Sequence, residues 1–159
     1  MQSAIRDATP DDAGHISTII IAALRQTNAR DYPAHIIAQV KHSFSPCAVL
    51  GLLAQRQVFV ATLEGEVMAT ASLDRNTVRS VFVHPSCQGT GLGRQLMRHV
   101  EATAADAGVQ RLRVPSSITA EGFYSALGFI RLREEFQGEE RTIIMEKRLA
   151  GPLSTGPCA

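Results

Sequence analysis

Gln88-Gly89-Thr90-Gly91-Leu92-Gly93-Arg94 sets three glycines at alternate positions. The stretch lies between a β-like run over residues 78–83 and a helix-like run over residues 92–107. A glycine-rich turn from strand to helix leaves backbone N–H groups free and lets a ligand approach the main chain closely. The helix N-terminus adds a partial positive charge at the same place. Such a turn suits an anion, above all a phosphate.

The segments around this turn read as alternating strands and helices. Residues 4–8 form a short first strand. Thr9-Pro10-Asp11-Asp12 then announces a helix, with Thr9 as N-cap, Pro10 at the first helical position and acids in the first turn. Ile16, Ile19, Ile20, Ala23 and Leu24 are its apolar stripe. Further helices are expected over residues 32–43, with Ile36, Ile37 and Val40 inward, and from the Ser45-Pro46 cap to residue 55. Beyond this the period changes to two: Val58, Val60 and Thr62 alternate with Phe59 and Ala61. Glu64-Gly65 turns this strand into a partner over residues 67–73. Asp74-Arg75-Asn76 turns again into a strand over residues 77–83, stopped by Pro85.

After the glycine loop, Leu92, Leu96, Val100 and Ala104 mark the buried face of a long helix. Arg94, Gln95, Arg98 and Glu101 face water, and Gly108 stands where a C-terminal glycine cap belongs. A strand over residues 111–116 and a short helix over residues 119–127 follow. The last strands cover residues 129–133 and 141–148, joined by an acidic turn over residues 134–140. Residues 1–149 therefore form one domain, and residues 150–159, without periodicity, are expected to be a flexible C-terminal tail. The order predicts an α+β (mixed α/β) fold with one central sheet covered by helices.

Composition narrows the class. The chain has 159 residues, 45% apolar and 19% charged, which suits a folded globule and argues against disorder. A formal net charge of +1 gives no case for bulk attraction to nucleic acid or membrane. Cys47, Cys87 and Cys158 are an odd set without metal-like spacing, so reduced thiols are expected. The N-terminal residues lack the apolar core of a signal peptide, and the apolar run over residues 19–24 is too short to span a bilayer. The expectation is a cytoplasmic protein with no nucleic-acid or membrane partner.

Three phosphate loops compete. A Walker loop requires a Gly-Lys-Ser/Thr end, and no lysine follows these glycines. A dinucleotide fingerprint counted from Gly89 requires glycine at the position of Arg94, and near the first strand of the chain. The third pattern fits. Gln88-x-x-Gly91-x-Gly93 matches the Q/R-x-x-G-x-G/A signature of the GNAT N-acetyltransferase superfamily. Val81-Phe82-Val83-His84-Pro85 before it is similar to that family's hydrophobic strand ending in V-x-P. Downstream, Ala120-x-x-Phe123-Tyr124-x-x-Leu127-Gly128-Phe129 resembles the family's A-x-x-F-Y-x-x-x-G-F segment. The resemblance covers about residues 3–149.

The resemblance implies a central, mostly antiparallel, V-split sheet of six or seven strands flanked by helices. It implies acetyl-CoA as co-substrate, with its pyrophosphate on the loop formed by Gln88, Gly89, Thr90, Gly91, Gly93 and Arg94. Backbone groups of Val81 and Val83 would pair with the pantetheine. Ser117 takes the place where many relatives carry an Asn that contacts the cofactor. The reaction implied is direct attack of a primary amine on the thioester. A small molecule or a peptide would carry that amine; relatives are often dimers, so a homodimer stands open beside a monomer.

For the proton steps the residues leave alternatives. Tyr124 is either a core aromatic beside Phe123 and Phe129 or, as the motif implies, the proton donor to the departing thiolate. Relatives often carry a glutamate on the strand before the loop; Thr77-Val78-Arg79-Ser80 offers none. Asp74 is either a turn residue or a base acting through water. His84 either titrates near neutrality or simply ends a strand. Tyr32 and His35, one helical spacing apart, line an acceptor pocket or lie half-exposed. Glu134, Glu135, Glu139 and Glu140 form a solvated hairpin tip or attract a cationic amine. Cys87 reads as a small filler rather than a nucleophile. A CoA-binding module without turnover is the rival to an enzyme.

Overall fold

Tight turns between antiparallel strands build the first part of the sheet in this computed structural model, which describes residues 2–149. Glu64 and Gly65 both take positive φ, 52° and 83°. Two such residues form the hairpin turn whose twist matches its strands. They join β2 (Gln57–Leu63) to β3 (Glu66–Asp74), and Arg75-Asn76 joins β3 to β4 (Thr77–Val83). β1 (Ser3–Asp7) pairs with the outer edge of β2. β5 (Arg111–Ser116), β6 (Ile130–Gln137) and β7 (Glu140–Arg148) complete a seven-stranded sheet in the order β1-β2-β3-β4-β5-β7-β6. Every neighbouring pair is antiparallel except β4 and β5. Those two run parallel and meet in register only at Thr77 and Arg113. Beyond that point they diverge, giving the V-split sheet that the family resemblance implies.

Strand alternation requires covers on both faces. Along β2, Phe59 and Ala61 enter one core and Val60 the other. On the Val60 face lie α1 (Ala13–Gln26), α2 (Ala34–His42) and α3 (Pro46–Gln55), through Ile16, Ile20, Leu24, Ile37 and Val49. On the Phe59 face lies α4 (Leu92–Asp106), with Leu92, Leu96, Val100 and Ala104 all buried as its four-residue repeat predicts. α5 (Glu121–Ala126) adds Tyr124 to the same core. Among the described residues no single helix is long and apolar enough to cross a membrane. The expected tail over residues 150–159 lies outside the described residues.

The acidic segment differs from expectation. Glu134 and Glu135 belong to β6, and the turn shrinks to Gly138-Glu139. The reason is charge pairing. Glu134 accepts two hydrogen bonds from Arg141 across the strand pair, at 2.8 and 3.0 Å, and one from Arg131 at 2.7 Å. Glu135 pairs with Arg133 at 2.7 Å. Cross-strand opposite charges favour the ladder where a run of lone acids would not. The arginines lie outside the acidic run, so the run taken alone misreads as a loop.

The N-terminal cap is also more elaborate than a simple N-cap. Residues Pro10–Asp12 form a single 3₁₀ turn, and Asp12 reaches back to accept from the Thr9 backbone N–H at 2.8 Å. Arg6 on β1 grips the same carboxylate with 2.8 and 3.0 Å bonds. The Arg6 bond is the main reason that the Asp12 carboxyl falls from 3.8 to about 2. This corresponds to about 2 kcal/mol before screening, and to about 1 kcal/mol once the half-exposed Arg6 is considered. The folded value is the lower one, so the stabilisation is present above pH 3.8 and is lost as pH falls towards 2. Asp12→Asn should lower the unfolding free energy by about 1–2 kcal/mol near pH 7. Urea unfolding at pH 7 and at pH 2–3 checks this: the gap between variant and parent should close in acid.

Candidate active site

The split between β4 and β5 opens into a cavity of about 430 Å³. Its apolar wall comes from the N-terminal helices, through Leu24, Ile36, Ile37, Val40 and Phe44. Its floor is the diverging sheet. β4 carries one extra residue against β3 between Thr70 and Ser72, and Ser80 takes the left-handed conformation there, with φ 56°. A serine at positive φ is uncommon, and a bulge is where a strand re-aims its side chains. Arg56 secures this bulge by donating to Ser80 Oγ at 3.1 Å and Ser72 Oγ at 3.3 Å.

Beyond the bulge β4 has two different edges. The His84 N–H donates to the Met68 carbonyl at 2.8 Å, continuing the ladder with β3. Antiparallel residues alternate in the side to which they direct backbone groups. Phe82 and His84 therefore bond towards β3, while Val81 and Val83 direct theirs into the gap, where β5 has already moved away. These two sequence-predicted residues present a free strand edge along the split.

The glycine loop closes one end of that edge. Gly89 and Gly91 adopt φ 79° and 88°, with open space where a Cβ would project. Among the described residues, no protein acceptor takes the N–H of Gly89, Gly91, Leu92, Gly93 or Arg94. Five such amides at the start of a 15-residue helix make an anion cradle. Gly93 serves closeness rather than φ: a Cβ there would lie 3.2 Å from Val83 Cγ2 and 3.4 Å from the Phe123 ring. The other loop side chains build the turn. Thr90 Oγ1 donates to the Cys87 carbonyl, and Gln88 Nε2 donates to Thr27 Oγ1 at 3.1 Å, tying the loop to the end of α1. Arg94 is exposed on α4. The cradle fits a pyrophosphate, since these amides have no protein acceptor, the α4 N-terminus adds partial positive charge, and no side chain lies over the two left-handed glycines.

Tyr124 lies on the cavity and is almost fully buried, at 3% exposure. Its ring stacks edge-on against Phe123 and Phe129, so it is a core aromatic as well. Its hydroxyl makes no hydrogen bond among the described residues, yet it is not a sealed, orphaned polar atom. Burial raises the phenol above its ordinary range, which keeps it protonated at neutral pH. Ser117 also lines the cavity, where its Oγ accepts from the Ala120 N–H at 3.1 Å and shapes the entry to α5.

Asp74 is not brought to the cavity. It ends β3, 40% exposed, with Arg79 3.7 Å away. His84 caps the short turn before the loop, accepting from the Ser86 N–H at 3.1 Å. Cys87 is buried in the α4 core. Two carboxylates do line the cavity, Glu135 and Glu140, from the β6–β7 hairpin. Tyr32 spans the cavity mouth: its hydroxyl accepts from the Ile118 N–H at 2.7 Å and donates to the Arg141 carbonyl at 3.0 Å. His35 pairs with Glu139 at 2.8 Å, and Thr119 donates to Asp31 at 2.8 Å. Arg56 and the Ser80 bulge carry no periodic or motif signal in the sequence. Glu140 was visible only as one member of the acidic run.

Comparison with known proteins identifies the family and the fold. A family model described as an acetyltransferase (GNAT) domain matches residues 28–149. The chain belongs to the GNAT acetyltransferase family. A GCN5-related N-acetyltransferase structure from Rhodopseudomonas palustris is 26% identical, with a TM-score of 0.87 over 94% of this chain and 97% of the other. The PaiA N-acetyltransferase of Thermoplasma acidophilum, solved in complex with coenzyme A, is 17% identical with a TM-score of 0.78, covering 93% of this chain and 99% of the other. The yncA structure of Salmonella typhimurium, solved with acetyl-CoA, is 23% identical with a TM-score of 0.64, covering 98% and 99%. Serotonin N-acetyltransferase 2, chloroplastic, of Oryza sativa subsp. japonica is 42% identical over 52 residues, 33% of this chain and 26% of that relative. The match thus spans about a quarter of the curated relative's length.

Gly93→Val tests the close approach of loop helix and strand. The added side chain would force α4 away from Val83 and Phe123. A loss of about 1–3 kcal/mol in urea unfolding is expected; unchanged stability would contradict the contact.

Proposed function

We propose that this GNAT-family chain transfers the acetyl group of acetyl-CoA to a primary amine bound in the cavity. The carrying observation is the arrangement of the free amides, the open β4 edge and the Tyr124 phenol along one continuous split. The amides of the loop would hold the pyrophosphate. The β4 edge at Val81 and Val83 would pair with the amides of the pantetheine arm, leading the thioester towards Tyr124. Acetyl-CoA supplies an activated acyl group: the amine nitrogen forms the new N–C bond, the C–S bond breaks, the nitrogen loses a proton and the sulfur gains one.

The chain's residues divide these tasks. Tyr124 holds a proton beside the leaving sulfur. A free thiol has a pKa of about 8.5 and this phenol a higher one, so its first contribution is a hydrogen bond that strengthens as charge grows on sulfur. The proton of the amine passes to cavity water, with Glu140 as the nearby carboxylate acceptor. Asp74, held outside the cavity beside Arg79, plays no part in this scheme. The apolar wall from α1 and α2 disfavours the charged ammonium and so favours the neutral, nucleophilic amine.

Saturating acetyl-CoA, at about 100 times its dissociation constant, should add about 2.7 kcal/mol and raise Tm by about 5–10 °C. An unmoved Tm would overturn the cofactor assignment. Tyr124→Phe should reduce kcat by about 10²-fold or more while leaving acetyl-CoA affinity nearly unchanged. Unaltered turnover removes Tyr124 from the chemistry. Binding of acetyl-CoA without CoA release across a wide amine panel would favour a binding module over an enzyme.

A further inference from the structure

Charges around the cavity do not all cancel locally. Arg113 is held by Glu146 at 3.0 Å, Arg133 by Glu135 at 2.7 Å, and Arg79 more loosely by Asp74 at 3.7 Å. Among the described residues, Arg56 has no carboxylate within ion-pair distance, and Glu140 has no cation. Both line the cavity. They stand on different sides of the split: Arg56 is bonded to the β4 bulge, and Glu140 begins β7, beyond β5 in the sheet.

Arg56 is an unusual guanidinium. It is half-buried, and among the described residues its guanidinium donates through a single nitrogen, Nη1, to two serine hydroxyls. A guanidinium carries five N–H donors in a planar fork suited to a carboxylate. Burial and the nearby Arg79 both disfavour its charge, and Asp74 restores part of it. An anion at this place would relieve both effects. The cavity therefore combines a cation on the β4 side, a carboxylate on the β7 side and an apolar wall between the helices.

We infer that the acceptor amine also carries a carboxylate, which Arg56 binds while the amino group lies towards the β4–β5 split and Glu140. The inference rests on the acetyl-transfer reading above and names its substrate class: an amino acid with an apolar body, rather than a simple alkylamine. A cationic amine alone would leave the half-buried Arg56 with no anionic partner closer than the weak influence of Asp74. Half-burial of a guanidinium without an ion pair carries a cost, and a substrate carboxylate reduces it.

The test compares matched acceptors. Leucine, phenylalanine and 5-aminopentanoate are each set against their amides and their decarboxylated amines, at a pH corrected for free-amine fraction. For at least one series the carboxylate form should show a kcat/KM about tenfold or more above its amide. Arg56→Gln should erase that preference, and Arg56→Lys should keep part of it. Tm and acetyl-CoA affinity in each variant show that the fold and the cofactor site survive. Arg56 also pins the Ser80 bulge, and a role confined to that would lower turnover of all three forms alike. Equal rates for acid, amide and amine, or a preference that persists in Arg56→Gln, would overturn the inference while leaving acetyl transfer intact. No turnover of any amine despite acetyl-CoA binding would instead count against the transferase reading. A second measurement keeps the subsite testable in that case. Calorimetric titration of N-acetyl-leucine into the CoA complex should give binding that its amide lacks and that Arg56→Gln abolishes; equal binding of acid and amide would refute the subsite.

Discussion

The parting of β4 from β5 is the constraint on which the site depends. A parallel pair that stayed in register would consume the backbone groups of Val81 and Val83 and leave no cavity. Here the pair meets at Thr77 and Arg113 and then separates. The extra residue at Ser80 turns β4 while its other edge remains bonded to β3. Unpaired backbone groups in a dry interior would be costly, but along an open cavity they are available to water or to a ligand. The glycine loop begins where this free edge ends, so a chain of polar backbone groups runs from Val81 to Arg94.

Separated strands need something to hold the two halves of the sheet at a fixed spacing. Helix α4 does this on one face: its apolar side packs on the β2–β3–β4 half, while Glu101 bonds Lys147 of β7 at 2.8 Å and Gly93 comes close to Phe123 of α5. On the other face the connection is polar. Tyr32 joins the start of α2 to the segment after β5 and to β7 through one hydroxyl. The His35–Glu139 and Asp31–Thr119 contacts beside it are exposed and contribute little each. The half-buried Tyr32 is the stronger tie. Through it, the helices that wall the cavity are positioned by the strands beyond the split.

Much of the fold was legible in sequence because local signals agreed with global packing. β4 and β5 match their expected ranges, and the four-residue repeat of α4 falls on its buried face. The turn of the glycine loop into α4 and the placement of Tyr124 on α5 were readable because each carries a motif. Three features were not. The strand character of Glu134 and Glu135 was hidden because Arg141, the cross-strand partner of Glu134, meets it only once the hairpin is formed. The bulge at Ser80 was not legible because Thr77-Val78-Arg79-Ser80-Val81-Phe82-Val83 holds no glycine to mark a left-handed residue. Arg56, after the last turn of α3, looks like any surface arginine until β3 and β4 bring Ser72 and Ser80 to it. Asp74 errs in the opposite direction: a carboxylate one turn from β4 in sequence lies outside the cavity in space, beside Arg79.

Assignment of the split as the acetyl-CoA site is tested most directly by amide NMR of the labelled protein titrated with CoA. The N–H groups of Gly89, Gly91, Leu92, Gly93 and Arg94 should shift and gain protection from exchange, together with those of Val81 and Val83. Binding of CoA that leaves these seven amides unmoved, or that protects a different surface, would contradict the account.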